Sequence, residues 1–193
     1  MPPVVALAGR RVDPPETDTP RFPHENVGLV RELLRSFMQD RRAAALVCSA
    51  ACGADLVALE AAEAVGLRRR VVLPFGRERF RETSVVDRPG DWGPLYDRVI
   101  DAAKRAGDLV VLEGVGEGGA AYAAANEAIL DEALRLAGVP AAPGSDAIRP
   151  VLPATAVAVI VWDGQSRGED DATQQFAASA RKRGLAVDEV LTS

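Results

Sequence analysis

Six apolar runs of strand length recur along this chain, at Val4–Ala8, Ala44–Cys48, Val71–Pro74, Leu109–Leu112, Ala156–Trp162 and Leu185–Leu191. Several are continuous rather than alternating, which is the pattern of strands buried on both faces. Stretches of helical period lie between them: Val27, Val30, Leu33, Leu34, Phe37 and Met38 form one apolar stripe, Leu95, Val99, Ile100 and Ala103 a second, and Tyr122, Ile129, Ala133 and Leu136 a third. A strand that alternates with a helix returns by a right-handed crossover, and repeated crossovers build a parallel sheet covered on both sides. The predicted fold is therefore α/β, a doubly wound, mainly parallel sheet of Rossmann type with helices on both faces.

At 193 residues and 48% hydrophobic, the chain has apolar surface enough for one substantial core, and residues 1–193 read as a single domain. Two linkers are long and rich in proline, Val12–Pro23 and residues 138–153, the second preceding a terminal strand-helix-strand. Lys plus Arg number 23 against 28 for Asp plus Glu, a net charge of −5, which argues against general affinity for nucleic acid or an anionic membrane. No run reaches the roughly 20 apolar residues of a membrane helix. The start, "MPPVVALAGRR", lacks the pattern of a signal peptide, so a soluble, cytoplasmic protein is expected. Cys48 and Cys52 with the single His24 are too few ligands for a zinc site, and two reduced thiols are expected, with no metal and no cofactor.

In such a sheet, ligands bind over the carboxyl ends of the strands, where loops lead into helix amino termini. The second strand ends there in "CSAACGAD", and the small residues Ser49, Gly53 and Ala54 let a ligand or a neighbouring loop approach the backbone, with Asp55 opening the next helix. Bared amides at this rim are expected to grip an anion. After the first strand, Gly9 permits a tight turn and Arg10 or Arg11 is placed to meet a phosphate. Tyr122 and Asn126, four apart on a helix, put a ring and an amide on one face, where the amide must bond a buried backbone group or a ligand. Trp162, Asp163 and Gly164 form the tip of the fifth strand. The arginines at Arg68, Arg69, Arg70, Arg77, Arg79 and Arg81 read mainly as a solvated face.

With "ALAGRRVD", "VCSAACGADLVALEAA", "AYAAANEAILDEAL" and "VIVWDG" in this order, the chain resembles the SLOG superfamily of Rossmann-like domains, which includes the Lonely Guy phosphoribohydrolases and the DNA-processing SMF proteins. The likeness is nearest to the small SLOG domains of bacterial signalling and conflict systems. The resemblance implies a pocket for a nucleotide or nucleotide-derived molecule, formed by Gly9, Arg10, Ser49, Gly53, Ala54, Asp55, Tyr122, Asn126, Trp162, Asp163, Gly164 and Thr173. One loop departs from the pattern. Where relatives wrap a phosphate with a glycine pair and threonine, this chain reads "RGEDDATQQF", setting Glu169, Asp170 and Asp171 where a phosphate would sit.

Three functions fit these residues. The first is a sensor or signalling domain that binds a nucleotide-derived ligand. The second is an enzyme that cleaves a nucleotide N-glycosidic bond, for which Asp55, Glu113 and Asp163 are the available acids. The third is a scaffold with a vestigial pocket, serving through its surfaces as a homo-oligomer.

Overall fold

The computed structural model describes residues 2–116, 118–138, 155–168 and 170–193. The linker at 139–153 and Glu169 lie outside them. Six strands form one sheet: β1 (Val4–Gly9), β2 (Ala45–Cys48), β3 (Arg68–Leu73), β4 (Leu109–Val111), β5 (Ala156–Trp162) and β6 (Ala186–Leu191). Every pairing is parallel and the order is β4-β3-β2-β1-β5-β6. The chain thus steps outward from β1 to β4, then returns to the other side of β1. That reversal puts the topological switch point between β1 and β5, which is where an open α/β sheet leaves a crevice.

Helices α1 (Val27–Asp40), α2 (Ala54–Ala64), α3 (Arg77–Ser84), α4 (Trp92–Arg105), α5 (Gly119–Leu136) and α6 (Ala172–Lys182) complete the fold. Alternate residues of each strand divide between two cores. Val5, Leu7, Leu46, Cys48, Val71 and Leu73 face α1, α2 and α4, while Val4, Ala6, Ala45, Val47, Val72 and Ile160 face α5 and α6. The two-sided burial is the reason the strands read as continuous apolar runs. Helix α2 is buried along most of its length, and its alanines let it lie close to the sheet beneath α1 and α4.

Two features depart from the expected outline. β3 begins at Arg68, three residues earlier than its apolar run, because its arginines find acids at the sheet's edge: Arg68 and Arg70 pair with Asp108, and Arg70 with Glu132. α3 carries no apolar stripe long enough to announce it, and it buries only Phe80 and Ser84. Its Arg77 and Arg81 pair with Asp97 of α4. Cys48 and Cys52 are both buried free thiols. Among the described residues, no helix is long and apolar enough to cross a membrane.

Candidate functional site

A cavity of about 740 Å³ opens over the carboxyl ends of β1, β2 and β5, at the switch point. Its floor is apolar, with Leu7, Phe80, Ala125 and Ile129 in its wall, and Tyr122 stands at one side. The loop between β1 and α1 arches across it, contributing Pro14, Thr17, Asp18 and Thr19. Asp13 closes that loop: its Oδ2 accepts the amides of Arg21 and Phe22, both at 2.8 Å, and its own amide donates to the Phe22 carbonyl at 3.0 Å. Val12 and Phe22 are buried at the loop's base and hold it in place.

Of the residues expected from sequence, Gly9, Arg10, Arg11, Ser49, Asp55, Tyr122, Asn126 and Thr173 all line the cavity. Gly53, Ala54, Trp162, Asp163 and Gly164 lie outside its wall. The Val12–Pro23 linker was legible as a long loop but not as a wall of the site, and Arg88 after α3 and Arg167 were not foreseen. The Trp162 indole donates to Glu189 at 2.9 Å and its ring packs against the α5–α6 core, which accounts for it as a structural residue.

At Gly53, the turn after β2 admits a neighbouring loop. Gly53, at φ +104°, forms a bridge with Arg11, and a Cβ there would stand 2.6 Å from the Val12 nitrogen and 2.8 Å from the Arg10 oxygen. Three amides of this turn are engaged internally: Ala54 donates to the Arg10 carbonyl at 3.0 Å, Cys52 to that of Ser84 at 2.9 Å, and Ala51 to Asp55 Oδ2 at 3.1 Å. At these three positions the expected anion grip by bared amides is corrected, since the donors already have acceptors. Gly53 also serves as the N-cap of α2, which leaves Asp55 in the first turn with its carboxylate folded back onto Ala51. Because only glycine enters this backbone region readily, Gly53→Ala is expected to cost at least about 2 kcal/mol of stability. Urea denaturation measures it, and a loss within experimental error would refute the close approach.

Arg10 is likewise committed. The residue is 4% exposed and its guanidinium makes four bonds: Nη1 and Nη2 to the two Asp171 oxygens at 2.8 and 2.7 Å, Nε to Asp163 at 3.1 Å, and Nη2 to the Gln165 carbonyl at 2.7 Å. Burial works against its charge, but the bonds to Asp171 and Asp163 outweigh that and raise its pKa. Arg21 completes the network by donating to Asp163 at 2.8 Å, which ties the arching loop to the tip of β5. Arg11 bonds Asp87 and reaches the Cys52 sulfur at 3.6 Å.

Other groups keep capacity toward the cavity. Asn126 donates to the Ala172 carbonyl at 3.1 Å, a backbone partner at the exposed start of α6, and it also lines the cavity, where the sequence reading allowed a ligand. The Tyr122 hydroxyl bonds Ser84 at 2.9 Å, and its ring meets Phe75 edge-on at 5.9 Å. Ser49 Oγ has no hydrogen-bond partner among the described residues. Burial pushes the Asp55 carboxyl up to about 7, against the opposing pull of the Ala51 amide and the Arg11 charge. Arg167 has no ion-pair partner among the described residues, and desolvation, Arg10 and Arg21 lower its pKa. A donor or acceptor can thus be met at Ser49 and Asp55, and a proton can be held at Asp55 near neutral pH.

No protein-family model matches the chain, and no curated protein matches it either.

Proposed function

We propose that the protein binds a nucleotide-derived small molecule in the crevice over β1, β2 and β5, as a sensor or signalling domain. The observation that carries this reading is the cavity itself. Its volume of about 740 Å³ falls within the range of small-molecule sites, and its wall joins an apolar patch of Leu7, Phe80, Ala125 and Ile129 to many polar groups that can orient a polar guest. Tyr122 offers a face for a planar ring, while Ser49, Asp55 and Asn126 offer hydrogen bonds to its edge. The resemblance to SLOG domains points to the same class of ligand.

One observation favours an enzyme as the second reading. An acid held to about pH 7 in a cavity wall can donate a proton to a departing base and take one from water, the two transfers that N-glycosidic hydrolysis requires. A single assay separates the readings. Melting temperature is recorded with a panel of bases, nucleosides and nucleoside monophosphates, and the same tubes are assayed for free base. The binding reading expects a saturable rise with at least one member and a loss of affinity of roughly tenfold in Asn126→Ala. Released base would move the assignment to the hydrolase, and no rise across the panel would overturn both in favour of a scaffold.

A further inference from the structure

Helix α6 is the next helix after β5, across the loop at 163–171, and its first residues line the crevice at the switch point, where a parallel sheet ordinarily receives an anion. An anion is already there. The Asp171 carboxylate accepts five hydrogen bonds: two from Arg10, at 2.8 and 2.7 Å; one from the Arg167 amide at 2.8 Å; and those of the Thr173 and Gln174 amides at 3.0 and 3.2 Å. Its side chain is fully buried. A guanidinium fork, a helix amino terminus and a loop amide converging on one point form the donor set that would bind a phosphate.

We infer that Asp171 is a resident stand-in for a ligand's anionic group, so that the crevice selects nucleosides or bases without rewarding their phosphorylated forms. This rests on the reading of the site given above. A phosphate entering at α6 would have to expel a carboxylate that five donors hold, and would then meet Asp163 across Arg10. Other cations at the site are engaged: Arg11 and Arg88 with Asp87, and Arg21 with Asp163. Arg167 has no ion-pair partner among the described residues, but it is exposed. A phosphate paired with it stays in water, where such a pair adds no more than about fivefold in affinity.

The inference is tested in two independent arms. Calorimetric titration of the wild-type protein compares each nucleoside with its 5′-monophosphate. The expected gain from the phosphate is about fivefold or less, and a gain of roughly a hundredfold or more, the scale of a buried charge-assisted contact, would overturn the inference. The second arm needs no nucleoside. Asp171→Ser keeps an acceptor for the helix amides and removes the charge, and Asp171→Gly leaves the most room. Inorganic phosphate should raise the melting temperature of either variant saturably, beyond its effect on wild type at matched ionic strength. Where a variant folds only when phosphate is present, the inference is likewise supported. Equal responses in variant and wild type, or variants that phosphate does not recover, would overturn it. Should no base, nucleoside or nucleotide bind, the proposed function fails, while the phosphate arm still decides what Asp171 replaces.

Discussion

Arg10→Met is expected to lower folding stability by about 3–5 kcal/mol, because it strands two buried carboxylates that share one guanidinium. The side chains of Asp171 and Asp163 are 0% and 8% exposed, and after the change Asp163 keeps only Arg21 while Asp171 keeps only backbone amides. Arg10→Lys should recover a part of the loss, since an ammonium cannot span both oxygens of Asp171 and still reach Asp163 and Gln165. In a double-mutant cycle, Arg10→Met combined with Asp171→Asn should cost clearly less than the sum of the two single changes, the mark of a direct pair. Urea denaturation at neutral pH measures all of these. The outcome separates two roles for one residue. An arginine kept for an incoming phosphate stands unpaired until the ligand arrives, and its removal costs folding little. A loss below about 1 kcal/mol, the scale of an exposed ion pair, would return Arg10 to the ligand.

That network marks the boundary of what could be read along the chain. All six strands, their parallel pairing and the crevice at the switch point follow from local patterns, because two-sided burial writes itself into consecutive residues. A part of the cavity wall was legible for the same reason: Gly9, Ser49, Asp55, Tyr122 and Asn126 sit where strands end and helices begin. Their partners were not. Arg10 meets Asp171 across 161 positions, and Arg21 meets Asp163 across 142, so nothing in the neighbourhood of either arginine announces that its charge is spent. One local signal did exist. "DATQ" from Asp171 to Gln174 has the spacing of a capping box, an N-cap acid with glutamine three residues on, and so placed Asp171 at a helix start instead of in an open phosphate loop. At Gly53, the sequence left room for a ligand or a loop to approach the backbone, and the fold shows that the visitor is the Arg10–Val12 segment.

Asp55 supplies the second large effect, and its sign is opposite to that of Asp171. The Asp55 carboxyl, 8% exposed and held at about 7 against 3.8 for the free group, keeps its proton in the folded chain long after the unfolded chain has released it. Its contribution is fully present below about pH 4, where both states are protonated, and is lost as pH rises through about 7. Each unit in that window costs about 1.4 kcal/mol, so by pH 8 the loss is about 4 kcal/mol. The Arg11 charge and the Ala51 amide act against the rise, and the neighbouring Cys48 thiol, itself raised by burial and by Asp55, stays neutral throughout. Asp171 works at the other end. Although burial opposes it, the Arg10 bonds and the loop amides hold its carboxyl down to about 2, so its contribution is present above pH 4 and lost as pH falls toward 2. Wild-type stability should therefore peak near pH 4 and fall from there as pH rises toward 7. Asp55→Asn keeps an oxygen for the Ala51 amide and has no proton to lose, so it should match wild type near pH 4 and exceed it by about 4 kcal/mol at pH 8. Urea midpoints of the two proteins across that range measure the gap directly. Curves that run parallel from pH 4 to 8 would mean that Asp55 ionises as freely in the folded chain as in water, and would remove the proton store that the hydrolase reading requires.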